Sequence, residues 1–183
     1  MSKKNAKVTF SDQHSTIDDI EAYYVDSEIS LDLYFDASSQ EDRFFGYSLL
    51  ELQDELKNRK NSLDRMCSLE VLGSLEAHMR IDYLTRCQEK LKDKLSRQMR
   101  VIHGAKGNRA SLVDDIMFLW KKEYPEHKAS LDEFQKALDY RNWLAHGRYW
   151  TSRKTPHIYR YDYLSICTLA NKILTELDLL ERT

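Results

Sequence analysis

The chain has 183 residues, which is enough for one domain with a substantial hydrophobic core. Five glycines and two prolines are too few for the many tight turns of a β-sandwich, a β-barrel or a collagen-like array. Apolar residues make up 42% of the chain and charged residues 32%, with a net charge of −2, which excludes global disorder. The composition favours long helices with solvated outer faces, and thus an all-α fold.

The first predicted element is a helix near the N-terminus. Ser15, followed three positions later by Asp18, is typical of a helix start, and we expect this helix to reach about Glu28. Apolar and polar residues then alternate over residues 29–35, which indicates a short strand or an extended arm.

Helical spacing continues through the middle of the chain. Ser38 and Ser39 are expected to open a second helix, which ends in the polar run at residues 57–62. A long helix is predicted over residues 63–102, and the glycines at 104 and 107 end it.

Three further helices are expected in the last part of the chain. One covers residues 108–120. The next starts at a capping box formed by Ser130 and Glu133, and Gly147 supplies its end. After a loop, the last helix covers residues 162–180. The pattern predicts a single-domain bundle of five or six helices.

Charge is distributed unevenly along the chain. Residues 8–42 contain ten acids and no Lys or Arg, so we expect an acidic N-terminal segment with the first helix, 1–38, before a helical bundle, 39–183. Residues 86–109 contain eight bases and two acids, and residues 140–161 contain five bases, no acids and several aromatic residues. Such segregation indicates a surface that binds a polyanion.

Cysteine usage and hydropathy bear on the compartment and on cofactors. Cys67, Cys87 and Cys167 are widely spaced and odd in number, which fits a reducing cytoplasm. The chain has no apolar run long enough to cross a membrane and no signal-peptide pattern, so we expect a soluble cytoplasmic protein. The six histidines form no HExxH motif and no cluster with glutamate, and we therefore expect no metal and no other cofactor.

One short segment, Tyr140–Arg148, carries the residue types of phosphate chemistry. Arg141 is a permanently charged bidentate donor, and His146 is of the residue type that exchanges protons near neutral pH. Cleaving RNA without a metal needs a group that takes or gives a proton and cationic donors that hold the phosphorus centre.

The helical period sets a geometric condition on this pair. Five residues at about 100° each place Arg141 and His146 about 140° apart around a continuous helix. The two side chains can therefore act on one phosphate by one of three routes: the helix loosens before Gly147, the long arginine bends across, or two copies of the chain assemble the site across a dimer axis.

The segment resembles the signature of the HEPN superfamily, in which an arginine, followed by a polar residue that is commonly asparagine, precedes a histidine by four to six intervening positions. Arg141, Asn142 and His146 match this signature with four intervening residues. The resemblance implies a HEPN-like all-α bundle and a homodimeric, metal-independent endoribonuclease. It implies His146 as the acid–base group, Arg141 as the phosphate-binding stabiliser and Asn142 as a positioning group.

The resemblance also implies a biological setting and a mode of RNA binding. Members of this kind act as toxins or antiviral defence effectors, cut RNA by attack of the 2′-hydroxyl to leave a 2′,3′-cyclic phosphate, and can pair with a cognate antitoxin. The tyrosine that often stands two positions after the histidine in one branch is replaced here by an arginine. Residues after the motif are expected to contact RNA: Arg148, Tyr149, Arg153, Lys154 and Arg160.

A second class of function fits the same segment. In this alternative the chain is a non-catalytic HEPN module that binds RNA or acts as a scaffold in a regulatory complex. Arg141 would then hold a phosphate or a structural carboxylate.

Overall fold

Six α-helices follow one another in the computed structural model, which describes residues 10, 11, 13, 15–36, 42–149 and 156–180. The helices are α1 (Ile17–Tyr34), α2 (Leu49–Gln88), α3 (Lys94–Lys106), α4 (Phe118–Glu123), α5 (Lys128–Ala145) and α6 (Tyr163–Glu176). Short 3₁₀ turns lie at Asp42–Phe44, Gly107–Arg109, Pro125–His127 and Pro156–Arg160, and a π-helical segment, Leu112–Met117, runs into α4. The described residues include no strand, and the prediction of an all-α bundle of five or six helices is confirmed.

The long helix α2 organises the bundle. It has 40 residues, spans about 60 Å at 1.5 Å per residue, and contacts α1, α3, α5 and α6. A single hydrophobic core surrounds it, to which Ile17 and Ile20 of α1 also belong. The fully buried side chains of this core include Leu72, Leu75, Met79, Met99, Leu131, Phe134, Ile166 and Ile173.

The first helix is longer than the sequence predicts. It continues through Tyr34, so the prediction of a strand or extended arm over residues 29–35 is wrong. Its cap is Thr16, which forms a capping box with Asp19, rather than Ser15. The apparent alternation arises because α1 is apolar on two sides: its inner side packs on the core, whereas Ile29 and Leu33 face solvent.

Helix α2 begins later and ends later than predicted. Ser38 and Ser39, the predicted start, lie outside the described residues, and the capping box that opens α2 is formed by Ser48 and Glu51. The helix continues through the polar run at residues 57–62 because partners on α1 stabilise it: Lys60 pairs with Glu28 at 3.3 Å and Asp32 at 2.8 Å. The predicted break at this run is therefore wrong.

The predicted helix over residues 63–102 is divided in two. The chain leaves the helix after Gln88, Lys90 adopts a positive φ of 54°, and Asp93 caps α3 by accepting a hydrogen bond from the Ser96 amide. The turn lets α3 fold back and pack against α2. Helix α3 continues past the predicted end at residue 102 and through Gly104 to Lys106, and only the second glycine, Gly107 at φ 58°, lies directly after it.

The start of α5 also differs from the prediction. The helix begins at Lys128, two residues before Ser130, and Ser130 does not form the predicted capping box with Glu133. The Ser130 hydroxyl instead donates a hydrogen bond of 2.6 Å to Glu176 of α6. The serine therefore links two helices.

The last helix lies within its predicted range, 162–180, and buries one apolar row. Ile166, Leu169, Ile173 and Leu177 are buried, although the helix itself ends at Glu176. Asp162 caps its N-terminus by accepting a hydrogen bond of 2.8 Å from the Ser165 amide, while the Asp162 amide donates to the Ser165 hydroxyl. Hydrogen bonds from the side chain and the backbone of Ser165 hold the pKa of Asp162 below its ordinary value.

This cap gives a pH-dependent prediction. We expect Asp162→Ala to lower the free energy of unfolding at pH 7 by about 1 kcal/mol. Because the pKa in the folded state is the lower one, the contribution is complete above the unfolded pKa of about 3.9 and is lost as the pH falls through the folded pKa. Urea unfolding of wild type and Asp162→Ala at pH 7 and at low pH measures the difference in the free energy of unfolding under each condition.

The matched control for this cap is Asp162→Asn, because asparagine caps a helix as well as aspartate but does not titrate. We expect it to stay close to the wild-type free energy of unfolding at pH 7. Equal stability of wild type and Asp162→Ala at pH 7 would contradict the assignment of the cap.

Candidate functional site

The predicted motif lies at the C-terminal end of α5, where the backbone follows a Schellman motif. The Arg148 amide donates to the Trp143 carbonyl at 3.1 Å, and the Gly147 amide donates to the Leu144 carbonyl at 3.2 Å. Gly147 has a φ of 79°, so the glycine end predicted for this helix matches the structure. His146 occupies the C-cap position between helix and turn, and its side chain is exposed.

Arg141 turns toward the central helix. Its Nη2 donates to Oε2 of Glu76 on α2 at 2.7 Å, and its Nη1 donates to Oδ1 of Asn142 at 3.1 Å. The exposed fractions of the Arg141 and Glu76 side chains are 34% and 18%, so both groups are partly shielded from solvent. The other Glu76 oxygen accepts from Nε of Arg80 at 2.8 Å. One carboxylate therefore holds two guanidinium groups beside α5.

The relation between Arg141 and His146 follows from the same helix. The His146 amide still donates to the Asn142 carbonyl at 3.0 Å, so the helical hydrogen-bond pattern continues to the histidine without loosening. The two residues consequently lie about 140° apart around α5, and the Arg141 side chain reaches α2 while the His146 side chain is exposed. Their convergence on one phosphate, within a subunit or across a dimer axis, stays a prediction.

The residues expected to contact RNA fall into three groups. Arg148, with a φ of 58°, and Tyr149 are exposed immediately after the motif. Arg160 is exposed but donates a hydrogen bond of 2.6 Å to Glu133, so its charge is already paired. Arg153 and Lys154 lie outside the described residues. Among the described residues of this surface, Arg148 is therefore the exposed cation that lies closest to His146 in the sequence and is not paired with an acid.

The basic stretch at residues 86–109 contributes less positive surface than its sequence indicates. Arg86 is buried against Asp82 at 2.7 Å, Lys94 pairs with Glu123 at 2.9 Å, and Lys106 pairs with Asp115 at 2.7 Å. Arg86 is thus neutralised by an acid of its own helix, and Lys94 and Lys106 by acids of neighbouring segments. The remaining bases of the stretch that are exposed include Lys90, Lys92, Arg97 and Arg109.

Two groups near the motif were not identified from the sequence. The first is Glu76, whose only local signal is its spacing of four residues from Arg80 on α2. The second is His157, in the 3₁₀ turn after the motif, whose Nε2 lies 3.0 Å from Oδ2 of Asp139 on α5. Neither pairing with α5 has a sequence signal, because folding alone brings these residues together.

Thiol and metal chemistry find no support in the described residues. Burial raises the pKa of Cys67 to about 11 and that of Cys87 to about 12, and it also raises the pKa of Cys167, which makes all three poor nucleophiles. Across the described ranges, no three His, Cys, Asp or Glu residues are grouped closely enough to hold a metal ion. None of the described helices is both long and apolar enough to span a membrane.

Comparison with known proteins adds no relative. No protein-family model, no curated protein and no solved structure matches this chain. The function is therefore inferred from the side chains at the end of α5.

Proposed function

We propose that this protein is a metal-independent endoribonuclease of the HEPN type, which cuts RNA by attack of the 2′-hydroxyl and leaves a 2′,3′-cyclic phosphate. Its setting is toxin or antiviral defence, as a homodimer with a cognate antitoxin. The observation that carries the proposal is an exposed imidazole, His146, fixed by a Schellman motif within two turns of the Arg141–Asn142 pair.

The side chains supply the groups that the reaction needs. The exposed His146 ring can accept the proton of the 2′-hydroxyl as that oxygen attacks phosphorus. Arg141 has five N–H donors, and the two hydrogen bonds to Glu76 and Asn142 leave three for phosphate oxygens. Because Asn142 uses its carbonyl oxygen for Arg141, its NH₂ group remains available as a further donor.

Glu76 acts in this proposal as a positioning residue. A bond to a partly buried carboxylate restricts the rotamers of the long arginine, and a group that is preorganised in this way stabilises developing charge without reorganisation. Arg80, bonded to the same carboxylate and to the Ala110 carbonyl at 3.3 Å, fixes Glu76 in turn.

One observation favours the non-catalytic alternative, an RNA-binding or scaffolding module. The ion pair of 2.7 Å between Arg141 and Glu76 is what a purely structural arginine would form. In that case the pair serves to join α5 to α2, and RNA is bound by the exposed residues after the motif without being cut.

Replacement of Arg141 separates the two functions. If Arg141 stabilises the transition state, Arg141→Ala lowers the rate of RNA cleavage in EDTA by about 10²–10³-fold. The measurement is a single-turnover rate with purified protein, with thermal unfolding recorded in parallel. Lys136→Ala, on the exposed side of the same helix, is the control and should cleave at the wild-type rate.

The alternative predicts a different pair of results. Wild-type protein would bind RNA without cleaving it, and Arg141→Ala would lower the melting temperature while leaving the affinity for RNA unchanged. Either a wild-type protein that does not cut or a fully active Arg141→Ala variant contradicts the catalytic role of Arg141.

A further inference from the structure

A second histidine, His157, packs from the following 3₁₀ turn against the side of α5 that carries His146. Asp139, Asn142 and His146 are spaced by three and four residues, so they lie along one side of the helix. The Nε2 atom of His157 is 3.0 Å from Oδ2 of Asp139. This hydrogen bond places the His157 ring over the same side.

The His157 ring is both anchored and accessible. It belongs to the 3₁₀ turn Pro156–Arg160, which packs on α5 through Ile158, a residue with only 1% of its surface exposed. The exposed fractions of the His157 and Asp139 side chains are 25% and 46%, so a ligand on this surface can reach the ring. The next charged group of the turn, Arg160, is bonded to Glu133 and not to this pair.

We propose that His157, oriented by Asp139, is the second proton-transfer group of the site and acts as its general acid. This inference rests on the proposed ribonuclease function. Cleavage without a metal involves two proton transfers. His146 takes the 2′-hydroxyl proton as the O2′–P bond forms, and His157 gives a proton to the 5′-oxygen as the P–O5′ bond breaks. The reaction consumes no net proton, because one ring gains the proton that the other loses.

The Asp139 carboxylate fits this assignment of roles. A carboxylate bonded to an imidazole fixes the ring orientation and stabilises the protonated ring, which is the form that a general acid must have. His146 is instead the natural acceptor, since it stands exposed at the helix end. Asp139 and His146 are separated by seven positions, about 10.5 Å along the helix axis, and the two rings can approach a phosphate from either side.

Aromatic side chains lie on the same side of α5. Trp143 is four residues after Asp139 and three before His146, and its ring meets that of Tyr159 edge-on, with 5.8 Å between the centroids. Tyr159 is 56% exposed. Unpaired bases stack on such side chains, so a single RNA strand fits along this side of α5.

The test uses two substrates for the purified full-length chain. One is an ordinary RNA oligonucleotide, and the other carries a single 5′-bridging sulfur at the cleavage site, a leaving group that departs without a proton. We expect His157→Ala to lower the cleavage rate of ordinary RNA by about 10²-fold or more. On the sulfur-containing RNA, where the leaving group needs no proton, the cleavage rate of the same variant should lie within a few-fold of the wild-type rate.

Three further variants complete the comparison. Asp139→Asn should lower the cleavage rate of ordinary RNA less than His157→Ala does, and its rate on the sulfur-containing RNA should likewise be close to wild type. His146→Ala should cleave neither substrate efficiently. His127→Ala is the matched control, because His127 also faces a carboxylate, Glu176 at 3.9 Å, but at the opposite end of α5, and it should cleave both substrates at the wild-type rate.

The outcomes distinguish the two levels of the proposal. If wild type cleaves but His157→Ala is fully active, or is equally impaired on both substrates, the role of His157 is overturned while the ribonuclease function stands. If wild type cleaves neither substrate, the proposed function itself fails, and the role of His157 fails with it.

Discussion

Replacement of Arg86 by alanine is expected to destabilise the fold by about 3–5 kcal/mol, the range found when one partner of a buried ion pair is removed. Arg86 donates to Asp82 at 2.7 Å, and the exposed fractions of the two side chains are 8% and 0%. The variant would leave the Asp82 carboxylate buried without its cation. Burial raises the pKa of Asp82, and Arg86 and the Leu180 amide oppose that shift, so the loss of Arg86 favours protonation of the carboxyl group.

The same pair fastens the C-terminal segment to the bundle. Arg86 donates to the Asp178 carbonyl at 2.9 Å, and Asp82 accepts from the Leu180 amide at 3.0 Å. The Arg86 guanidinium also lies over the Trp120 ring, 5.3 Å from its centroid. A substitution at this position therefore removes contacts with α4 and with the chain after α6. It also leaves the buried Asp82 carboxylate without a cation.

Urea unfolding measures this effect against a matched control. Arg59 and Glu55 form an ion pair on the same helix with the same spacing of four residues and a similar distance of 2.8 Å, but they are exposed. We expect Arg59→Ala to cost only about 0.3–0.5 kcal/mol. Similar free energies of unfolding for the Arg86 and Arg59 variants would contradict the buried pair as a determinant of stability.

The second large effect is expected at His146. His146→Ala should lower the rate of RNA cleavage by about 10²–10⁴-fold, because the imidazole is the proposed acceptor of the 2′-hydroxyl proton. Stability should change little, since the hydrogen bonds of the Schellman motif come from backbone amides and the imidazole is exposed.

The measurement is the single-turnover rate together with the dissociation constant for RNA. We expect the variant to bind RNA with near wild-type affinity and to keep its melting temperature. An active His146→Ala enzyme would remove this residue from the mechanism, and a variant that no longer folds would show that His146 has a structural role.

The parts of the fold that the sequence predicts well are those that local patterns determine. The apolar row of α6 and the glycine after α5 can be predicted from nearby residues alone, without any residue from another part of the chain. The polar run at residues 57–62 predicts a helix end, wrongly, because its stabilising acids, Glu28 and Asp32, belong to another helix. The alternation over residues 29–35 predicts a short strand or an extended arm, wrongly, because α1 carries apolar residues on its outer side as well as on its inner side.

The residues of the candidate site also fall into two groups, those that local spacing predicts and those that only folding brings together. Arg141, Asn142 and His146 are close in sequence and can be found from their spacing. Glu76, in contrast, is 65 residues before Arg141, and Asp139 and His157 are 18 residues apart with a turn between them. Such pairs form only when helices pack, so no local pattern indicates them.

The most direct test of the central claim is the chemistry of the RNA ends that the wild-type protein makes in excess EDTA. Our account predicts products with a 2′,3′-cyclic phosphate on one side of the cut and a 5′-hydroxyl on the other. Products with a 3′-hydroxyl and a 5′-phosphate, or cleavage that occurs only after a divalent metal is added, would contradict it.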